Sequence, residues 1–98
     1  SRLIRVVARG RDEVKVTYTA DRLTNLLEAE PEIAASDVDI LGPAPCPLAK
    51  LSYNHRHHFL VRSPTMAPIL AAVRRCLGRV RVDPSVHLEL DIDPVSVL

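Results

Sequence analysis

The sequence predicts an α+β domain, a ferredoxin-like βαββαβ sandwich with a four-stranded sheet and two helices on one face. Three observations carry this expectation. β-Branched runs with period-two alternation lie near both ends of the chain, around Val6 and around Leu88. Two apolar stripes at helical spacing, Val16 to Leu27 and Met66 to Leu77, lie inside them. Two short apolar segments, around Ile40 and Leu60, occupy the middle. With 98 residues, 47% of them hydrophobic, the chain fits a single domain, 1–98, with one modest core.

The first strand is Leu3 to Arg9, with Ile4, Val6 and Ala8 on one face and Leu3, Arg5, Val7 and Arg9 on the other. Asp12 to Glu30 reads as helix. Asp12 is a suitable N-cap, Glu13 suits the first turn, Val16, Ala20, Leu23 and Leu27 form the stripe, and Pro31 stops the element. Val14, Val16 and Tyr18 also alternate with polar residues, so a β-hairpin turning at Arg9 to Asp12 is the competing reading. Val38 to Leu41 is a second strand, stopped by Gly42. Pro43, Pro45 and Pro47 then rule out helix and interior sheet, and predict a stiff, extended connection of about a dozen residues. It ends in a basic, ring-bearing tip before a third strand at Phe59 to Val61. A second helix starts near Thr65, buries Met66, Ile69, Leu70, Val73, Cys76 and Leu77, and ends at Gly78 as its cap. Val86 to Ile92 is the last strand, with Leu88, Leu90 and Ile92 inward. The expected core is Ile4, Val6, Leu23, Leu27, Ile40, Ile69, Val73, Leu88 and Leu90. In this fold the first and third strands are central. Arg5, Arg9, Arg56, His58 and Arg62 then face outward, with His87, Glu89 and Asp91 beside Arg5 and Arg9 as opposite-charge partners.

Net charge is only +1, but its distribution is uneven. Between Gly42 and Val82 stand Lys50, Arg56, Arg62, Arg74, Arg75, Arg79 and Arg81 with no acidic residue, whereas residues 83–98 carry four acids and no Lys or Arg. Such a block suggests an anionic partner; ion pairing between segments is the plainer alternative. No apolar run approaches the roughly 20 residues of a membrane span. Cys46 and Cys76 form no ligand pattern and read as reduced thiols of a cytoplasmic protein. The chain opens on Ser1-Arg2 without a methionine, which suggests a piece of a longer protein.

No catalytic constellation is present: the sequence has no Walker loop, no GxGxxG, no nucleophile elbow and no CxxC. His55, His57 and His58 invite a metal reading, but no cysteine or carboxylate lies near them in sequence, and a basic loop edge is the simpler expectation. Asp91 and Asp93 suit ion pairing and capping better than acid–base work. A nucleic-acid site fits best. Lys50, Arg56 and Arg62 would meet phosphates, and Tyr53, His55 and His57 would offer flat rings.

Val38-Asp39-Ile40-Leu41-Gly42-Pro43-Ala44-Pro45, followed by Lys50-Leu51 and by Arg56 ahead of an apolar strand, resembles the C-terminal domain of the PriA family. These are primosomal proteins N-prime, the replication-restart DNA helicases. Arg9 to Glu13 at the start of the first helix and the closing run Asp91 to Leu98 resemble it too. The resemblance implies a parent enzyme with ATP-dependent 3′-to-5′ helicase activity, using magnesium, with zinc held by cysteines in another segment. It implies a bacterial, nucleoid-associated location and no activity or cofactor in this piece. Implied partners are single-stranded and forked DNA, single-strand DNA-binding protein, other primosome proteins and the helicase lobes of the parent chain. Where the family commonly has an aromatic on each side of the arginine, this chain has His55 and His57 around Arg56. That leaves phosphate contact as the role the resemblance implies there. The competing expectation is a packing domain whose basic block faces the helicase lobes.

Overall fold

Alternation in the first strand decides which sheet face the helices cover. The computed structural model describes residues 2–34, 37–51 and 54–92, and of 47–51 the backbone alone. Along these run β1 (Arg2–Gly10), α1 (Glu13–Glu28), α2 (Pro31–Ala34), β2 (Asp39–Leu51), β3 (Asn54–Ser63), α3 (Ala67–Arg79) and β4 (His87–Ile92). The strands form one antiparallel sheet in the order β2-β3-β1-β4, so β1 and β3 are central as expected. Ile4, Val6 and Ala8 of β1 are buried, as are Phe59 and Val61 of β3. Ile4, Val6, Phe59 and Val61 pack with Leu23 and Leu27 of α1 and Ile69 and Val73 of α3 in the main core, while Ala8 joins Val16, Ala20 and Val86 in a smaller cluster beside it. Burying each such side chain contributes about 1.5–3 kcal/mol. The other expected core residues, Ile40, Leu88 and Leu90, are partly buried against the same cluster.

The helical reading of the first ambiguous stretch holds. The Asp12 side chain accepts from the Val14 and Lys15 amides, satisfying two of the free N–H groups at the start of α1. Val16 is fully buried while Val14 is 76% and Tyr18 63% exposed, a separation that a strand would not make at this spacing. Gly10 ends β1 in a close approach. A Cβ there would lie 2.8 Å from the Ser85 carbonyl oxygen and 3.2 Å from Val16 Cγ2. The loop before β4 is tied down opposite it by Asp83, which accepts from the Ser85 hydroxyl and amide and pairs with Lys15. These contacts hold the Asp83 carboxyl at about 2.

Four expectations need correction. The proline run is not a loop: it is the second half of β2, which pairs with β3 as far as Leu51↔Asn54. Prolines lack the ladder N–H and are tolerated because β2 is an edge strand. The register shifts twice, between Leu41 and Ala44 and between Pro45 and Lys50, and the first shift passes through Gly42 at φ 105. Backbone there is left-handed, and a side chain would be strained. The connection to β3 is therefore two residues, 52–53, rather than a dozen. Gly78 is not a cap either, since α3 continues to Arg79 and Val80 takes that position. Finally, Pro31 opens a short third helix, α2, besides stopping the first. Ile92, expected inward, is 43% exposed.

These two glycines should respond in opposite directions. Gly10→Ala forces a Cβ against backbone and should lower stability by about 1–3 kcal/mol. Gly78→Ala meets open space within a helix and should raise it by about 0.5–1 kcal/mol. Urea midpoints at constant m-value measure both; a destabilised Gly78→Ala would restore the cap reading.

Candidate nucleic-acid interface

Because side chains alternate along a strand, β3 divides its own basic and ring-bearing residues between two faces. His55, His57, Phe59 and Val61 point to the helix side. Arg56, His58, Leu60 and Arg62 point to the other, beside Arg9, Val7, Arg5 and Leu3 of β1 respectively. The residues expected to form one tip therefore do not share one surface.

On the helix side, His57 is buried and His55 half-buried. Glu13 Oε2 lies 3.4 Å from His57 Nε2 and 3.6 Å from His55 Nδ1. These rings link β3 to the first turn of α1, where a carboxylate also complements the helix dipole. Among the described residues no group of three His, Cys, Asp or Glu is arranged to hold a metal.

The other face is organised by Arg5. Its Nε donates to His58 Nδ1 at 2.9 Å, its second guanidinium nitrogen lies 3.6 Å from Cys46 Sγ, and its first lies 3.6 Å from Asp91. The acceptor role at Nδ1 places the His58 proton on Nε2 and makes the ring neutral. Burial, then the charges of Arg5, Arg56 and His57, hold His58 below its usual range. Val7 and Cys46 on this face are both buried, so the middle of the sheet is packed. Arg9 pairs with Glu89 at 2.7 Å, as the cross-strand expectation required.

Three of the seven cations of the basic block meet carboxylates among the described residues. Arg62, at the far end of β3 from the turn, pairs with Asp39 at 2.8 Å. Arg75 and Arg79 of α3 meet the buried Glu30, at 2.9 and 3.4 Å, and Arg75 also meets Glu32. Arg75 is the main reason the Glu32 carboxyl lies below its ordinary value. Arg56 differs: among the described residues no carboxylate or hydrogen-bond acceptor partners it. Lys50 pairs with His55 through the backbone, its side chain lying outside the described residues, as does Tyr53 entirely. Two features escaped sequence reasoning. Arg9 stands directly opposite Arg56, which only the register reveals. Val14 and Tyr18 protrude beside a groove of about 300 Å³ lined by Lys15, Thr19, Arg81 and Asp83. Their helical spacing of four places them off the buried stripe and could have shown this.

The family model for the primosomal protein N C-terminal domain matches residues 1–95. The chain is 35% identical over 97 residues to the replication restart protein PriA of Treponema pallidum, covering 99% of this chain and 14% of that protein. It is 28% identical over 96 residues to the protein of the same name from Synechocystis, covering 98% of this chain and 11% of the relative. For the Chlamydia pneumoniae protein the identity is 26% over 95 residues, covering 97% and 12%. The chain thus spans about an eighth of the length of the relatives it matches.

Titration of the His58 ring should report the Arg5 contact. Its midpoint, followed by NMR, should lie below about 6.5 and rise in Arg5→Gln. A histidine depressed in the folded state binds protons more readily when unfolded, so its contribution is present above about pH 6.5 and declines as pH falls below it. A His58 midpoint unchanged by Arg5→Gln would remove Arg5 as a cause.

Proposed function

The chain belongs to the primosomal protein N C-terminal domain family, and on that premise we propose that it is a DNA-contacting C-terminal module. Its parent would be an ATP-dependent 3′-to-5′ primosomal helicase acting in replication restart. The DNA would be single-stranded or forked, met at the end of the sheet next to the β2–β3 turn. One observation carries the reading: Arg56 is a central-strand cation facing outward without an acid partner among the described residues, where Arg62, Arg75 and Arg79 are neutralised. Lys50 and Tyr53 lie near it in sequence and belong to the same proposed contact, while His55, His57 and Arg62 support the fold around it. Electrostatic contact of this kind is indifferent to base sequence and releases counterions.

ATP, magnesium and zinc belong in this reading to the parent's other segments. The described residues offer no metal-holding trio, and the sequence has no phosphate-cradling glycine loop. Single-strand DNA-binding protein and other primosome proteins are proposed partners of the parent, in a bacterial cytoplasm.

Anisotropy titrations of the 98-residue chain with labelled single-stranded and forked DNA test the proposal. Affinity should fall steeply with salt. Arg56→Ala and Lys50→Ala should each weaken binding alike for any sequence and flatten the salt slope by about one unit. Arg74→Ala, on exposed α3 surface, should do less. His55→Ala should also do less, because its ring turns toward Glu13. If the unaltered chain shows no salt-dependent binding, the DNA reading fails; if it binds and Arg56→Ala and Lys50→Ala both bind like it at low salt, the end of the sheet next to Arg56 is not the site.

A second reading, docking on the helicase lobes, is favoured by the exposure of Val14 and Tyr18 on the outer side of α1. Tyr18→Ser should leave DNA binding of the chain unchanged. It should weaken association of the chain, supplied in trans, with the rest of its parent in sedimentation experiments. Unaltered association would remove this surface from the docking reading.

A further inference from the structure

Across β3, β1 and β4 the register sets Arg56, Arg9 and His87 side by side on the outward face. Directly opposite residues of an antiparallel pair have Cβ atoms about 4.5–5.5 Å apart, and like charges in that relation are destabilising. The sheet therefore holds two guanidiniums in a relation that folding alone disfavours. Four outward arginines, Arg5, Arg9, Arg56 and Arg62, face three carboxylates, Asp39, Glu89 and Asp91. Arg5 is committed to His58, Asp91 and Cys46, and Arg62 to Asp39 at the other end of β3. The surplus positive charge falls on the Arg9–Arg56 pair, where Glu89 holds Arg9 in an exposed ion pair. Exposed pairs contribute little stability, so Glu89 is an occupant that a stronger anion can displace.

We infer that Arg9 and Arg56 form a two-point clamp for a phosphate of the DNA backbone, with Glu89 as the internal anion that phosphate displaces from Arg9. Guanidinium groups present paired N–H donors that match the two free oxygens of a phosphodiester, and two of them side by side can hold one phosphate from both flanks. His87, on the far side of Arg9, adds a ring nitrogen within the same row. The clamp rests on the DNA-module reading and adds to it a second cation, from a different strand, and a competitor.

A double-mutant cycle on the 98-residue chain tests it, reading affinity for labelled single-stranded DNA across salt concentrations, with thermal midpoints confirming that each variant is folded. Arg9→Gln should lower affinity by about 3- to 10-fold at low salt and flatten the salt slope by about 0.7. Glu89→Gln should raise affinity severalfold. Combined with Arg9→Gln, the Glu89→Gln gain should disappear, because the carboxylate acts through Arg9. A merely structural ion pair would instead give two variants of similar, slightly reduced stability with binding unchanged. If Glu89→Gln retains its full gain in the Arg9→Gln background, Glu89 is only a distant like charge and the clamp is overturned. If the unaltered chain binds and Arg56→Ala weakens it while Arg9→Gln does not, the clamp alone is lost. If the unaltered chain shows no salt-dependent binding, the DNA-module reading fails and takes the clamp with it.

Discussion

The guanidinium of Arg5 is the contact on which the outward face depends. From the central strand β1 it reaches His58 on β3, Cys46 on β2 and Asp91 on β4, so one side chain touches every other strand of the sheet. A charge this enclosed is tolerable only with its donors satisfied. The partners differ in kind: a neutral ring nitrogen, a thiol and a carboxylate. Cys46 belongs to the irregular part of β2, where the register has shifted, so the Arg5 contact also secures the proline segment to the sheet. With Arg5 so engaged, the middle of the face has no cation to offer, and unneutralised charge is left toward the β2–β3 turn.

Strand parity then gives neighbouring histidines opposite electrostatic settings. His55 and His57 turn to the carboxylate of Glu13, while His58 turns to the guanidiniums of Arg5 and Arg56. A single-residue slip of β3 would exchange these settings and move Phe59 and Val61 out of the core as well. The hydrophobic alternation and the polar contacts therefore enforce the same register.

Much of the fold was legible because the signals agreed. The Asp12 cap, the Val16–Leu27 stripe and the Pro31 stop all described α1, and Ile4, Val6 and Ala8 named the buried face of β1. The proline segment misled because prolines exclude an interior strand and not an edge strand, and whether a strand lies at the edge is decided by topology. Gly78 misled for a similar reason, since a glycine near a helix end is a cap only if the backbone turns there. The candidate site was legible in composition and illegible in arrangement. Of the six residues chosen as one tip, β3 divides His55 and His57 from Arg56 and Arg62 between two faces, and Arg62 is neutralised by an aspartate more than twenty positions away. The seven-residue basic block likewise overstated the available charge. Arg75 and Arg79 are matched by Glu30, which precedes the block in sequence and is buried against it in the fold.

Access to the remaining charge is constrained from both sides of the sheet. Along the β2 edge, Pro43, Pro45 and Pro47 remove ladder donors and discourage another strand from pairing there. Along the β4 edge, Glu89 and Asp91 present carboxylates that repel an approaching polyanion. The helix side is closed by α1 and α3. In the proposed function, a phosphate backbone would be turned away from the β4 side and from the middle of the face, and would meet the end where β1 reaches Gly10 and β3 begins. Arg9 and Arg56 stand at that end, with Glu89 one row further in. On the outward face of the sheet, among the described residues, carboxylates meet Arg5, Arg9 and Arg62 and leave Arg56 without one, which is why the proposed contact is set at that end.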